Sequence, residues 1–425
     1  MKLAVVGGGW AGLAAAVRAT EAGHRVTLFE MAGQLGGRAR EVMVEGLPLD
    51  NGQHILIGAY RRCLALMHTV GSDVAGGLDR RPLELRYPDG RGLRLPPGPP
   101  WLGFARAVLG AHGWNFRDRY AVLTAAAGWA LAGFRCDSRL TVNALCAGLP
   151  PAVRALLIDP LCVAALNTPA DQASAAVLLR VLRDAVFGGR GCADLLLPRR
   201  SMGALLPQPA ERWLRAAGTE LRLGHRVHQL QRSGDGWQLD GDVFDTVVLA
   251  CTAPEAARLA QPHAAAWAAR AQALRYEPIV TVYVSCPGAR LPTPMTALFE
   301  GPQAPAQFVF DHGALGSAAG LFAFVVSGAS AWVEAGIEAT SQAVLRQAAE
   351  AFPAGTWPRP PQLLRALTEK RATFKCVPSL DRPPALVAPG LIAAGDYIEG
   401  PYPATLEGAV RAGETAAALA TLATR

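Results

Sequence analysis

The sequence predicts an α/β protein: a Rossmann-like nucleotide-binding domain with an interleaved α+β second domain that includes a helical lid. Three stretches predict it. Residues 1–30 read as strand, glycine turn, helix, strand and acid. Residues 245–250 form a continuous apolar run, as expected of a strand buried in a parallel sheet. Residues 391–396 form an apolar strand ending in Gly-Asp, followed by a helical pattern through Leu422.

The first stretch is the most specific. Gly7-Gly8-Gly9-Trp10-Ala11-Gly12 supplies G-x-G-x-x-G, a weak match by itself in a chain with 45 glycines. Its flanks add the specificity. An apolar run at 2–6 precedes it, an Ala-rich helical stretch at 13–22 ends at Gly23, and an alternating strand at 24–29 ends at Glu30. Gly7 permits the tight turn, Gly9 lets a pyrophosphate approach the backbone, and Gly12 lets the helix pack on the sheet. The helix N-terminus offers free N–H groups to phosphate, and Glu30 lies where a ribose would donate hydrogen bonds to it.

The remaining elements follow in order. Residues 42–49 read as a strand leading into Asp50-Asn51-Gly52-Gln53-His54, and 61–70 as a helix. Residues 83–95 predict a hairpin turning at Pro88-Asp89-Gly90. A Pro-rich boundary at 96–100 opens an Ala/Leu-rich helical region to about 190, broken at Gly148-Leu149-Pro150-Pro151 and Asn167-Thr168-Pro169. A helix at 201–218, strands at 221–230 and 236–239, strands within 276–285 and 306–327, and a helix at 335–351 come next. Strand 385–394 then leads through Gly395-Asp396 to a helix N-terminus near Ala404, Thr405 and Leu406, suited to negative charge on a bound ring.

Composition narrows the function classes. The chain has 425 residues, 51% hydrophobic and 18% charged, with a net charge of +7. No dense Lys/Arg run with interleaved aromatics is present, so nucleic-acid binding is excluded. The positive excess, nearly all arginine, reads first as compositional bias and is also compatible with an anionic membrane surface. Eight scattered cysteines show no C-x-x-C and no metal spacing, so neither a metal site nor a disulfide framework is expected, and reduced thiols fit a cytoplasmic location. The uncharged stretch 120–134, between Arg119 and Arg135, is too short to span a bilayer and reads as a buried or interfacial helix.

Together, residues 7–30, Gly36-Gly37-Arg38, the strand at 245–250 followed by Pro254, and Gly395-Asp396 with Thr405-Leu406-Glu407-Gly408-Ala409 resemble the flavin amine oxidase and phytoene desaturase superfamily. The resemblance covers essentially the whole chain. It implies non-covalent FAD, with Gly36, Gly37 and Arg38 against the phosphates. A strand carrying Val227 would touch the adenine through its backbone, and Asp396 would close over the ribityl chain. It implies a discontinuous FAD domain at 1–75, 195–255 and 365–425, and a substrate domain at 76–194 and 256–364. Within the superfamily, Asp50-Asn51-Gly52-Gln53-His54-Ile55-Leu56, Arg371-Ala372-Thr373-Phe374 and the run 402–411 resemble hydroxysqualene dehydroxylases, the squalene-forming flavoproteins that feed bacterial hopanoid synthesis. Tyr397 after Gly-Asp and Ala412 before Gly413 depart from that branch's usual residues.

The resemblance implies removal of an allylic hydroxyl with reduced FAD. The site must hold a long isoprenoid, donate a proton to the departing oxygen and exclude water. By family position Gly52, Gln53 and His54 lie near the isoalloxazine. His54 is the candidate general acid, with a structural histidine as its alternative, and Gln53 could orient the hydroxyl. Asp50 is expected to position the turn. The lid face at Trp101, Leu102, Phe104, Val108 and Leu109 is expected either to pack in the core or to meet the inner face of the cytoplasmic membrane peripherally. No second nicotinamide fingerprint is present, since Gly188-Gly189-Arg190-Gly191 lacks the flanking strand and helix, so the electron donor is unidentified, with a separate reductase or a free reductant as the candidates. A polyprenoid desaturase is the nearer rival. An amine oxidase fits less well, since only Lys2, Lys370 and Lys375 are available to hold a water beside the flavin. A non-catalytic flavin- or lipid-binding protein is the third reading.

Overall fold

The structure is a computed structural model and describes residues 1–422. Its first layer is a six-stranded sheet. In space the strands run Glu220–Leu223, Arg25–Glu30, Lys2–Val6, Thr246–Leu249, Leu391–Ala393 and Leu386–Ala388. The first five are parallel and the last is antiparallel. Thr246–Leu249 is buried at all four positions, which explains its unbroken apolar sequence. The helices Trp10–Glu21 and Leu406–Leu422 pack on this sheet and on each other. Alanine favours the helix and allows close approach, and nine of the twelve residues of the first helix are buried. At Gly413 any side chain would strike the Ala11 carbonyl.

A second, antiparallel sheet runs Met295–Ala297, Phe308–Asp311, Leu321–Val326, Tyr276–Ser285 and Gln362–Phe374. Leu321–Val326 is buried at all six positions. The lid comprises Pro100–Leu109, Phe116–Leu131, Asp159–Leu166, Ala175–Val181 and shorter turns, two of them π-helical. Phe116–Leu131 starts with a capping box, Asn115 and Asp118 each accepting from the other's backbone N–H. Asn167, in the left-handed region at φ 45°, ends Asp159–Leu166.

Several expected elements are divided, each for a local reason. The strand expected at 42–49 is a hairpin, Glu41–Val44 with Leu47–Asp50, because Glu45 and Gly46 both take positive φ in a two-residue turn. The helix at 201–218 splits into Met202–Leu205 and Pro207–Ala216, since Pro207 cannot continue the first ladder. The helix expected at 335–351 is undivided and starts at Ile337, where Gly336, at φ +99°, sets it off from the short helix Ser330–Ala335. Residues 306–327 hold two strands, as expected, whereas the strand expected at 385–394 folds back at Gly390. Val227 is not on a strand: Glu220–Leu223 ends at Gly224, and regular pairing resumes only at Leu230–Ser233.

Candidate functional site

The glycine turn builds a cradle at the carboxyl ends of the parallel strands, where open α/β sheets hold ligands. Gly7 has φ +114°, and a Cβ there would lie 2.6 Å from the Ala250 carbonyl. A Cβ on Gly12 would overlap the Gly7 carbonyl. Gly9 differs: the nearest atom to its Cβ position is Gly37 Cα at 3.8 Å, so that face stays open. Gly9 caps Trp10–Glu21 with no side-chain hydrogen bond, leaving the first N–H groups of the helix for an anion. Gly36 and Gly37 close the cradle. Gly36 N–H donates to Gly8 O at 2.9 Å, and Gly36 pairs with Gly9 in a short parallel bridge.

Glu30 is buried at the end of its strand and accepts from the N–H groups of Gly8 (2.7 Å) and Ala32 (2.8 Å). These bonds fix the carboxylate beside the cradle and leave acceptor capacity on it. Val227 is buried in the irregular segment between Leu223 and Leu230, where its carbonyl accepts from Arg258 Nη2 at 2.7 Å. Arg38 Nη2 donates to Asp396 Oδ1 at 2.6 Å and its Nη1 to Ala372 O at 2.7 Å. One guanidinium thus joins the Gly-Gly-Arg turn, the Gly-Asp turn and the 371–374 motif. At Gly395 a side chain would strike the Tyr397 ring, so Tyr397 packs directly on the Gly-Asp turn. Thr405 Oγ1 accepts from Gly408 N–H at 2.9 Å and caps the final helix.

Gly52, Gln53 and His54 sit on the turn after Leu47–Asp50, against the second sheet. Gln53 N–H donates to Thr281 Oγ1 at 3.3 Å, and Tyr283 Oη donates to Asp50 O at 3.0 Å. Gln53 Oε1 lies 3.2 Å from His312 Nε2, and Gln53 Nε2 donates to His54 O at 3.2 Å. Burial lowers the His54 pKa to about 4, partly opposed by a hydrogen bond with the Gly52 backbone and assisted by the Arg38 charge. Burial pushes Asp50 up to about 7, although its Oδ1 accepts from Met202 N–H at 2.7 Å. Asp50 thereby ties the turn to the helix Met202–Leu205.

Among the described residues, six buried side-chain polar atoms lack a partner. Three of them, Trp10 Nε1, His54 Nδ1 and Tyr397 Oη, belong to the segments just described. An elongated ligand rich in donors and acceptors, threaded from the glycine cradle toward His54, would satisfy them. The open face of Gly9, the Glu30 carboxylate and the capped helix at Thr405 and Leu406 fit FAD in that direction. The sequence reading did not single out Thr281, Tyr283, His312 or Arg258. They lie far from the motifs in sequence and reach the site only through the second sheet and the helix after Thr246–Leu249.

The family model for flavin containing amine oxidoreductase matches residues 10–421. A hydroxysqualene dehydroxylase of Sinorhizobium fredii is 28% identical over 98% of this chain and 97% of its own length. One of Rhodopseudomonas palustris is 29% identical over 99% and 98%. Among solved structures, an oxidoreductase from Methanosarcina mazei superposes with a TM-score of 0.74 at 17% identity, covering 98% of this chain and 99% of that one.

Proposed function

The chain belongs to the flavin containing amine oxidoreductase family and is an FAD-dependent oxidoreductase, and from that premise we propose that it converts hydroxysqualene to squalene. The observation that carries this reading is the end-to-end similarity to two hydroxysqualene dehydroxylases. Non-covalent FAD would be held by Gly7, Gly9, Gly12, Glu30, Gly36, Gly37, Arg38, Gly52, Val227, Gly395, Asp396, Thr405 and Leu406. Reduced FAD, when bound, supplies hydride.

The chain's own groups supply the rest. Gln53 orients the substrate hydroxyl. His54 donates a proton to it, so that the C–O bond breaks and water leaves, and the allylic cation that remains is the centre to which reduced FAD would supply hydride. The apolar lid holds the isoprenoid and excludes bulk water from the cation. A His54 pKa of about 4 means that roughly one molecule in a thousand carries the imidazolium at pH 7. Turnover through His54 therefore rises as pH falls toward 5, a slope that His54→Gln removes.

Lysine chemistry on amines has little support. Lys2 and Lys370 are exposed, and Lys375 pairs with the buried Glu277 at 2.8 Å. The lid supports access from a lipid surface. Trp101, Leu109, Phe116, Tyr120 and Leu131 are exposed on its first two helices. Arg106, Arg117 and Arg135 are exposed with them, and the acid of that stretch, Asp118, is buried in its cap. Of the face expected from sequence, Trp101 and Leu109 are exposed, Leu102 and Phe104 are partly covered and Val108 is buried, so Trp101 and Leu109 are its members that support a lipid contact. No helix among the described residues is long and apolar enough to cross a membrane.

The test is anaerobic incubation of FAD-loaded protein with hydroxysqualene, with and without a flavin reductant. Squalene formed only when both are present supports the reading. Consumption of a related polyene by the oxidised enzyme, with no squalene from hydroxysqualene, transfers it to a desaturase.

A further inference from the structure

We propose that His312 is a positioning residue for this reaction, locking the Gln53 amide so that one of its N–H groups stays free for the substrate oxygen. The inference rests on the dehydroxylase reading and adds to it a residue outside every recognised motif.

The polarity of the contact chain is fixed. The His54 carbonyl can only accept, so the Gln53 amide atom facing it at 3.2 Å is the nitrogen. Gln53 Oε1 must then face His312, and His312 Nε2, at 3.2 Å, must carry the proton. The order is His312 Nε2–H to Gln53 Oε1, then Gln53 Nε2–H to His54 O. This uses the amide oxygen and one amide hydrogen. The second hydrogen has no protein acceptor among the described residues.

His312 is itself held in place. Its N–H donates to Leu321 O at 3.0 Å, and its carbonyl accepts from Ser317 N–H at 2.9 Å. The preceding Asp311 is fully buried and accepts from Leu291 N–H (3.0 Å) and Ala314 N–H (2.9 Å), anchoring the loop at its start. The His312 ring meets Tyr283 edge to face at 5.9 Å, and Tyr283 binds the Asp50 carbonyl. Thr281, two residues before Tyr283 on the same strand face, receives the Gln53 N–H. These contacts, with Asn51 Nδ2 donating to Glu369 Oε2 at 3.2 Å, join the second sheet to the turn bearing Gln53 and His54, and His312 makes the one that sets the Gln53 side-chain orientation.

The test uses FAD-loaded full-length protein. His312→Phe keeps the ring against Tyr283 and loses the donor, and His312→Gln restores an N–H donor near the Nε2 position. We expect His312→Phe to lower kcat by about 100-fold with KM changed by less than about threefold, and His312→Gln to recover about tenfold. In a Gln53→Ala background, His312→Phe should change kcat by less than about twofold. A readout independent of turnover is the imidazole nitrogen spectrum of His-labelled enzyme without substrate: a neutral Nε2–H tautomer in the native protein and a tautomer mixture in Gln53→Ala. Native kcat in His312→Phe, additive losses in the double variant, or an Nδ1–H tautomer would overturn the proposal. An enzyme inactive on hydroxysqualene that still shows the Nε2–H signature and its loss in Gln53→Ala overturns the reaction and leaves the His312–Gln53 link standing.

Discussion

His54 and His312 flank Gln53, and the same burial lowers both to a pKa of about 4. Between pH 6.5 and about 4 the unfolded chain binds protons that the folded chain refuses, so stability from these residues is complete above 6.5 and falls as pH drops through that window. Asp50 acts in the opposite sense. Raised to about 7, it keeps a proton in the folded state that the unfolded state releases above about 4, so its contribution falls as pH rises. Comparing each histidine variant with the native protein cancels the Asp50 effect. His54→Gln and His312→Gln should each remove about 1 to 2 kcal/mol of the stability lost between pH 6.5 and 5, read from denaturant midpoints. Equal pH dependence in native and variant proteins would show that neither histidine is held neutral. For catalysis, His54→Gln should retain FAD and lower kcat by about 100-fold, as read by flavin absorbance and product formation. Gln53 and His54 were legible from their motif. His312 was not, because a single His in a loop carries no spacing signal, and its partner is 259 positions away.

At the scale of elements, Glu407 shows how a motif residue can serve the scaffold. It is fully buried, accepts from the N–H groups of Arg62 and Cys63, each at 3.0 Å, and pairs with Arg411 at 2.8 Å. One carboxylate thereby caps the helix Arg61–Thr69 from the first turn of Leu406–Leu422. Glu407→Ala leaves Arg411 and two N–H groups without that partner and should destabilise the protein by about 3 to 5 kcal/mol, whereas Glu407→Gln keeps an acceptor and should cost less. Denaturation midpoints check this, and equal effects of the two substitutions would count against the capping role. Elements with one clear periodicity were legible, as in Lys2–Val6, Trp10–Glu21 and Thr246–Leu249. Gln362–Phe374 was not. Its Arg365, Glu369, Lys370 and Arg371 interrupt the apolar pattern, and pairing with Tyr276–Ser285 holds it as a strand. The divided elements were hidden for a related reason: Glu45 and Gly390 act through positive φ, which a composition pattern does not display.

In the whole molecule, a nucleotide-binding layer faces an antiparallel sheet across the Gly52–His54 turn, and the lid leads outward to exposed apolar side chains among arginines. Replacing Trp101, Phe116 and Leu131 together with Ser should reduce binding to anionic vesicles by at least about tenfold and leave the unfolding midpoint nearly unchanged. Sedimentation with vesicles reads this, and undiminished binding would move the lipid contact elsewhere. The layered fold was legible because Rossmann glycines, buried strands and helix starts are local signals. The juxtaposition of Gln53 with Thr281 and His312 was not, since it depends on how two sheets meet. The measurement that bears most directly on the central claim is an anaerobic single turnover: enzyme-bound flavin is reduced, the excess reductant removed, and hydroxysqualene added. The account predicts return of the oxidised flavin spectrum together with one squalene per flavin. Flavin that stays reduced in the presence of hydroxysqualene would contradict it.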